Sequence, residues 1–350
     1  MVSDSKKTSA EDRVKAEFRK WDLDTHKEDI WPKCTAIQVT STESVGIYED
    51  AYLVKIIETH SELGEDPTYA YRAAALPKEI TMMLLAGDDC TLPPVGRVFS
   101  DRGFLCGYIQ PLGATICKKF PKTDHFRNTQ KFKVPPSLLP SPQTQISALT
   151  ELVARLHAKG IIHGDIKPAN LITARDAFRL LFCDFGSADI EGSGMGHISD
   201  TAQYISPFRA ATQNRLSPVR KEDDLYATGI AMWEIASGRV PFEEVDPEFV
   251  EHVVAAGFQP NLGAVHDLET RRLITMYLQR GCPNSEVDFR SNEVCVAANV
   301  EFEDCVAQPA HTYIRSVHRE GCSGEEECET AYHITIPMSC IEKKRCPKCS

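Results

Sequence analysis

The chain has 350 residues, a mass of 39.0 kDa, and 50 acidic against 39 basic side chains, for a formal net charge of −11. With 42% apolar and 25% charged residues it can bury a core, which excludes wholesale disorder. The acidic balance argues against a nucleic-acid binder, which carries a basic patch or stripe, yet leaves room for a local phosphate site of opposite sign.

At roughly 150 residues per domain, the length suits two domains, or one bilobal domain with a tail. The cysteines favour a boundary near 282, because eight of the 13 fall between Cys282 and Cys349. The N-terminus MVSDSKKTSAEDRVKAEFRKW has no apolar core of signal-peptide length, and no stretch approaches the length of a membrane span. The expectation is a soluble intracellular protein, by default cytoplasmic, with neither a membrane nor a nucleic-acid partner.

In chain order, Val14, Phe18 and Trp21 recur at helical spacing after Ser9-Ala10-Glu11-Asp12, a helix-start sequence. From Thr35 the pattern becomes β. TAIQVT, VGIYED and AYLVKII are short β-branched or aromatic runs between polar breaks. PKEITMMLLAG predicts a helix stopped by Gly87. VGRVF and FLCGYI predict a strand pair turned by Ser100-Asp101-Arg102-Gly103. Lys119–Pro142 is polar and proline-rich, a surface connection.

From Ser141 the chain turns helical. ISALTELVARLH places Ile146, Leu149, Leu152, Val153 and Leu156 on one face and ends at Gly160. LYATGIAMWEIASG is apolar enough to be buried, and VEHVVAAG and LETRRLITMYLQRG follow as amphipathic helices. Trp233 and Pro241-Phe242 read as core packing.

The chemistry concentrates in His163-Gly164-Asp165-Ile166-Lys167-Pro168-Ala169-Asn170, followed by Asp184-Phe185-Gly186. Asn170 lies five residues after Asp165 and Asp184 nineteen after it, which leaves room for two short strands, LIT and FRLLFC. With these residues the chain resembles the protein kinase family, in its serine/threonine branch, over residues 35–282. The resemblance implies an α+β, bilobal fold: a small β-rich N-lobe with one main helix and a larger helical C-lobe, with ATP bound in the cleft. It implies phosphorylation of protein serine and threonine hydroxyls with ATP and Mg²⁺. Phosphoryl transfer needs positioning and charge neutralisation more than covalent help, and Mg²⁺ favours oxygen ligands. By resemblance, Asp165 would orient the substrate hydroxyl and accept its proton, Lys167 would approach the transferring group, and Asn170 and Asp184 would hold the metal. Lys55, in a predicted strand, matches the lysine that contacts the α- and β-phosphates, and Glu79 matches its ion-pair partner. Gly107–Leu112, with Tyr108 and Ile109, would be the hinge whose backbone meets adenine. Thr201, in Thr201–Pro207, matches the end of an activation segment. Asp224, five before Gly229, would hold the catalytic-loop backbone; the plainer reading is an exposed helix N-terminal acid.

Four features depart from the family. Between Thr35 and Lys55 there is one glycine, Gly46, and the tight turn is expected at Ser41-Thr42-Glu43-Ser44. Glycines let backbone amides approach phosphate, and Glu43 would bring an unfavourable charge if it faced one. Gly164 replaces the catalytic-loop Arg, so little switching is expected through Ser193 or Ser199. Phe208 stands where the activation segment usually ends in Glu, and Leu53 where a small residue usually lies under adenine. These motivate two rival readings: a pseudokinase that binds partners or acts as a scaffold, and a small-molecule phosphotransferase of the aminoglycoside-kinase type.

The expected organisation is an N-terminal extension at 1–30, a kinase-like domain at 31–282 (N-lobe 31–112, C-lobe 113–282) and a cysteine-rich extension at 283–350. In that tail, Glu293–Val296 and Tyr332–Ile336 have weak strand character. Three readings stay open. A zinc site would draw on Cys346 and Cys349 with Cys340, Cys322, Cys328 or His333. A disulfide framework is the second. The third is a divergent extension with reduced thiols. Lys343-Lys344-Arg345 reads as a solvated charge cluster.

Overall fold

The structure, a computed structural model, describes residues 23–39, 43–57, 67–116, 133–174, 179–193, 201–211, 218 and 220–281, and the strands at 310–318 and 329–337; for 27–28, 67–74, 136 and those last two strands it describes the backbone alone. The expected helix around Val14, Phe18 and Trp21, most of the Lys119–Pro142 connection, Ser199, Glu293–Val296, Lys343–Arg345 and the eight tail cysteines lie outside these residues. Those within Met1–Ser199 and Leu216–Asp224 form one compact unit, and those within Asp200–Arg215 and Leu225–Ser350 another.

The first unit opens on a six-stranded sheet. Its strands are β1 (Asp24–Lys27), β2 (Thr35–Val39), β3 (Glu43–Tyr48), β4 (Tyr52–Ile57), β5 (Gly96–Phe99) and β6 (Leu105–Pro111), in the order β1-β5-β6-β4-β3-β2. Within this sheet β1 and β5 pair in parallel and the other neighbours antiparallel. The β-branched runs read from Thr35 onward are all strands. Glu43 and Ser44, however, are the first residues of β3 and pair with Ile57 and Ile56, so they are not turn residues. Residues 24–30, read as part of an extension, supply the edge strand β1 and bury Ile30.

Strand alternation sorts the sheet into two faces. Ile30, Val54, Ile56, Val98, Cys106 and Ile109 form one cluster, joined by Trp31, Cys34, Tyr48 and Tyr52. A 3-10 turn, Glu28–Lys33, lays Trp31 across it. Gly46 is what permits this: a Cβ there would come within 2.9 Å of both Cys34 Cβ and a Trp31 ring carbon. The lone glycine of this stretch is therefore committed to packing. Ile37, Ile47 and Leu112 gather with Val45 and Leu53 in a second cluster.

Between β3 and β4 the chain turns through Glu49 and Asp50, both at φ 51°, with Ala51 N–H donating to Tyr48 O at 3.2 Å. Two consecutive positive φ values match a type I′ turn, which favours glycine at its second central position. Asp50→Gly is expected to raise stability by about 0.5–1 kcal/mol, relieving the left-handed strain and one of two adjacent like charges. Chemical denaturation reads this as a higher midpoint at unchanged slope.

Helix α1 (Pro67–Ala86) precedes β5 and ends at Gly87 as expected, but starts at Pro67 instead of Pro77. It buries Leu76, Ile80, Met82 and Met83. After β6 comes β7 (Ala114–Thr115), then α2 (Pro142–Ala158). The Ser141 hydroxyl caps α2 by accepting from Thr144 N–H at 3.2 Å, with Pro142 in the first turn. The whole expected apolar face is buried: Ile146, Leu149, Leu152, Val153 and Leu156. Each of these leucines contributes about 1.5–3 kcal/mol by leaving water. Beyond α2 lie β8 (Ile161–Ile162), β9 (Leu171–Thr173), β10 (Leu180–Phe182) and β11 (Asp189–Ile190). β9 is central to a small sheet in the order β10-β9-β7, and β11 pairs with β8.

Among the described residues, the second unit is mainly helical, with one pair of antiparallel strands. It contains α3 (Pro207–Ala211), most of α4 (Lys221–Ser237), α5 (Val250–Ala255) and α6 (Leu268–Arg280). As its composition suggests, α4 is enclosed on most sides: Tyr226, Ile230, Ala231, Met232 and Trp233 are all buried. Trp233 Nε1–H donates to Asn261 O at 2.8 Å, and Phe242 is buried at φ 57°. The strand pair is β12 (Ala310–His318) and β13 (Glu329–Pro337), which contains the strand-like run Tyr332–Ile336. The α+β order follows the expectation, with a β-rich N-terminal part carrying one main helix and a helical C-terminal part.

Candidate active site

Every residue singled out for catalysis, metal or phosphate lies within the first unit. Lys55 is in β4, on the face that carries Leu53. Glu79 is in α1, 6% exposed, so its carboxylate needs a cation or donors close by. It has both: Lys55 Nζ donates to its two oxygens at 2.9 and 3.3 Å, and Tyr108 OH donates to Oε1 at 2.9 Å. Burial raises the Glu79 carboxyl above its usual range, and it raises the Tyr108 phenol well above its own, so Tyr108 stays a donor. Burial alone would lower the Lys55 ammonium. The carboxylates of Glu79, Asp184 and Glu43 outweigh it and hold Lys55 well above the ordinary lysine value.

The loop expected to be catalytic runs from β8 to β9. His163 is fully buried, its ring 4.6 Å from that of Phe182 and 5.0 Å from that of Phe185. Its Nε2 bonds to Cys183 O at 3.2 Å, and its Nδ1 accepts from Asp165 N–H at 3.3 Å, the pattern of a neutral Nε2–H tautomer. Burial, the largest influence, lowers its pKa and favours the same form. Gly164 follows at φ 78°, left-handed backbone that suits glycine better than the arginine of the family pattern.

Asp224, in the first turn of α4, is 1% exposed. Its Oδ2 accepts from His163 N–H and its Oδ1 from Gly164 N–H, both at 2.8 Å, and His157 Nε2 of α2 lies 2.8 Å from Oδ2. This is a buried anchor for the loop backbone, and the reading of an exposed helix-terminal acid is ruled out.

The anchored loop presents Asp165. Its Oδ2 accepts from Lys167 Nζ at 2.6 Å and from Asn170 Nδ2 at 2.9 Å; the same Nδ2 donates to Asp165 O at 2.9 Å. With its nitrogen used in this way, Asn170 has its carbonyl oxygen as the group suited to a hard cation. The nineteen-residue interval between Asp165 and Asp184 is taken up by the expected pair of strands, β9 and β10.

Asp184 stands at φ 60°, strained for a residue with a side chain. Its carboxylate is 49% exposed, and Oδ1 lies 3.4 Å from Lys55 Nζ. That ammonium, the largest influence, lowers its pKa to about 2, so it is ionised at neutral pH. Burial pushes the preceding thiol, Cys183, up to about 12, which leaves it protonated and unreactive. An amide oxygen such as that of Asn170 and a carboxylate such as that of Asp184 are oxygen ligands of the type Mg²⁺ takes.

The hinge expectation needs correction. Tyr108 and Ile109 lie inside β6, with β4 on one edge and β5 on the other, and Ile109 O accepts from Val95 N–H at 2.8 Å. Backbone enclosed by a sheet does not face a ligand. Tyr108 instead acts through its side chain on Glu79, a role that strand pairing with Lys55 explains and that sequence spacing did not reveal. The chain leaves the ladder only after Leu112, whose N–H donates to Ala51 O at 2.8 Å.

Two further contacts were not anticipated. Lys78, next to Glu79, pairs with buried Asp189 of β11 at 3.2 Å, and Asp189 also accepts from Ser193 Oγ. In the second unit, Tyr204 OH donates to Glu234 of α4, which ties down the end of the activation-segment sequence. Phe208, in the position of the family Glu, is 47% exposed, and Arg271 donates to Val265 O at 2.7 Å. Thr201 precedes the 3-10 turn Ala202–Tyr204. No described helix is long and apolar enough to cross a membrane.

Residues 131–272 match the protein kinase domain. A probable serine/threonine-protein kinase of Bifidobacterium longum is 26% identical over 194 residues, 51% of this chain and 23% of that protein. A probable serine/threonine-protein kinase of Corynebacterium glutamicum is 36% identical over 104 residues, 28% of this chain and 15% of that protein. Human calcium/calmodulin-dependent protein kinase type 1B is 31% identical over 111 residues, 31% of each chain. The chain thus spans under a third of the length of each of these relatives. The domain match encloses both the loop anchored by Asp224 and the carboxylate that meets Lys55, and over these residues the chain is similar to protein kinases.

Proposed function

We propose that the chain transfers the terminal phosphoryl group of ATP to serine or threonine hydroxyls of protein substrates, with Mg²⁺. The observation that carries this reading is the charge-coupled set in one unit. Asp165 is held by Lys167 and Asn170 at 2.6 and 2.9 Å, and Asp184 and Glu79 meet Lys55 at 3.4 and 2.9 Å. Asp165 takes the hydroxyl proton as the oxygen forms its bond to phosphorus, and ADP leaves. Asn170 and Asp184 would hold Mg²⁺, whose contribution is to neutralise charge on the phosphates. Lys55, fixed by Glu79, orients the phosphates, and Lys167 follows the transferring group. Residues after Leu112, and not Tyr108 or Ile109, offer backbone to adenine. The kinase-like domain, expected at 31–282 and divided near 112, also takes in the edge strand Asp24–Lys27, with 283–350 a separate extension; localisation in the cytoplasm accompanies this reading.

A binding role without transfer is favoured by one observation, the approach of Glu43 to Lys55 at 3.8 Å where the family pattern has glycines. Incubation with γ-labelled ATP, Mg²⁺ and a degenerate peptide library decides between the two. The expected result is label on serine and threonine peptides only. Nucleotide binding without labelled peptide favours the binding role, and label on a small aminoalcohol alone favours the small-molecule phosphotransferase.

A further inference from the structure

Glu43 opens β3, opposite Ile57 and two residues from the Val45–Lys55 pair. Side chains two apart on a strand share a face, and diagonal cross-strand neighbours are within reach of long side chains. Accordingly, Glu43 Oε2 lies 3.8 Å from Lys55 Nζ, with the Glu43 side chain 21% exposed. Lys55 is thus met by Glu43, Glu79 and Asp184 together. Among the described residues, three carboxylates meet this one ammonium where a polyphosphate would sit. The glycine that could have brought backbone amides close instead seats Trp31 and Cys34.

Glu79 is deeply buried, and Asp184 belongs to the proposed metal pair. Glu43 has neither role. A phosphate approaching Lys55 has to displace this carboxylate and is repelled by it. A phosphate that already carries a divalent cation brings compensating charge. Resting on the nucleotide-site reading above, we infer that Glu43 determines nucleotide selection in this chain, disfavouring free ATP and making the site take the metal–nucleotide complex.

The test measures ATP binding to the full chain calorimetrically, once in excess EDTA and once in excess Mg²⁺. It compares wild type with Glu43→Gln, Glu43→Ser and Glu49→Gln; the last removes the same formal charge from an exposed position of the same hairpin. Removing one charge at this range in partly screened surroundings is expected to tighten metal-free ATP about 10-fold and the Mg²⁺ complex about 2- to 3-fold. The ratio of the two affinities therefore narrows in both Glu43 variants and stays at the wild-type value in Glu49→Gln. Equal change under both conditions, or no change, overturns the role of Glu43 while ATP binding itself stands. Absence of ATP binding by wild type and variants under both conditions overturns the nucleotide-site reading, and this inference with it.

Discussion

Asp165→Asn is expected to slow phosphoryl transfer by a factor of about 10²–10⁴, the usual contribution of a positioned general base. The substitution is nearly isosteric. Its carbonyl oxygen can still accept from Lys167 and Asn170, the two donors that hold the native carboxylate at 2.6 and 2.9 Å. The loop therefore keeps its shape, because its backbone is fixed from elsewhere, through His163 N–H and Gly164 N–H on Asp224. What is lost is the capacity to take up a proton. Nucleotide affinity is expected to stay close to wild type, since Lys55, Glu79 and Asp184 are untouched. Single-turnover kinetics beside calorimetric ATP binding reads the two effects separately. Equal phosphate incorporation by wild type and variant would remove Asp165 from its proposed role. Loss of ATP binding would mean that the carboxylate serves the nucleotide and not the hydroxyl.

The site was legible where its chemistry is local. Asp165, Lys167 and Asn170 meet within one turn of chain, so their spacing in sequence is nearly their spacing in space. Lys55 and Glu79 were legible because one sits in a clearly alternating strand and the other lies in a strongly apolar helical run, although that helix begins at Pro67 and not beside Glu79. Contacts between distant segments were not. Tyr108 reaches Glu79 only because β6 lies beside β4 with Tyr108 opposite Lys55. Nothing in the run Leu105–Pro111 distinguishes a strand buried between two others from one that ends at an open hinge. The edge strand β1 has no apolar alternation in Asp24-Thr25-His26-Lys27, and its backbone pairing with β5 carries no side-chain signature. Gly46 shows the same limit. The sequence shows it only as the lone glycine between Thr35 and Lys55, and the fold shows its neighbours to be Trp31 and Cys34. For Asp224 the sequence allowed an exposed acid, and only the fold shows the buried oxygens facing two backbone donors.

Asp224→Ala is expected to cost about 3–5 kcal/mol, because it strands one buried and one partly buried backbone N–H group that each lose a charged acceptor. Those groups belong to His163 and Gly164, both 2.8 Å from the carboxylate, and His157 Nε2 loses its partner as well. Water cannot replace the carboxylate readily, since Asp224 is 1% exposed and His163 fully buried. Asp224→Asn separates charge from shape. Its oxygen can serve one backbone donor, but its NH₂ then faces the other, so about 2–3 kcal/mol is expected to be lost even though the volume is unchanged. Denaturant titration measures both variants, and the asparagine form, the milder of the two, supplies folded protein for kinetics. There the turnover number should fall more than ATP affinity, because the loop carrying Asp165 loses its anchor while Lys55 and Glu79 keep theirs in β4 and α1. A loss below about 1 kcal/mol in both variants would place the pair in the range of a surface ion pair and exclude Asp224 as the anchor. A drop in ATP affinity as large as the drop in turnover would mean that the anchor supports the phosphate site as a whole. The order of these effects follows from topology: Asp224 acts on backbone that precedes Asp165 by one and two residues, and it reaches the nucleotide residues only through that loop.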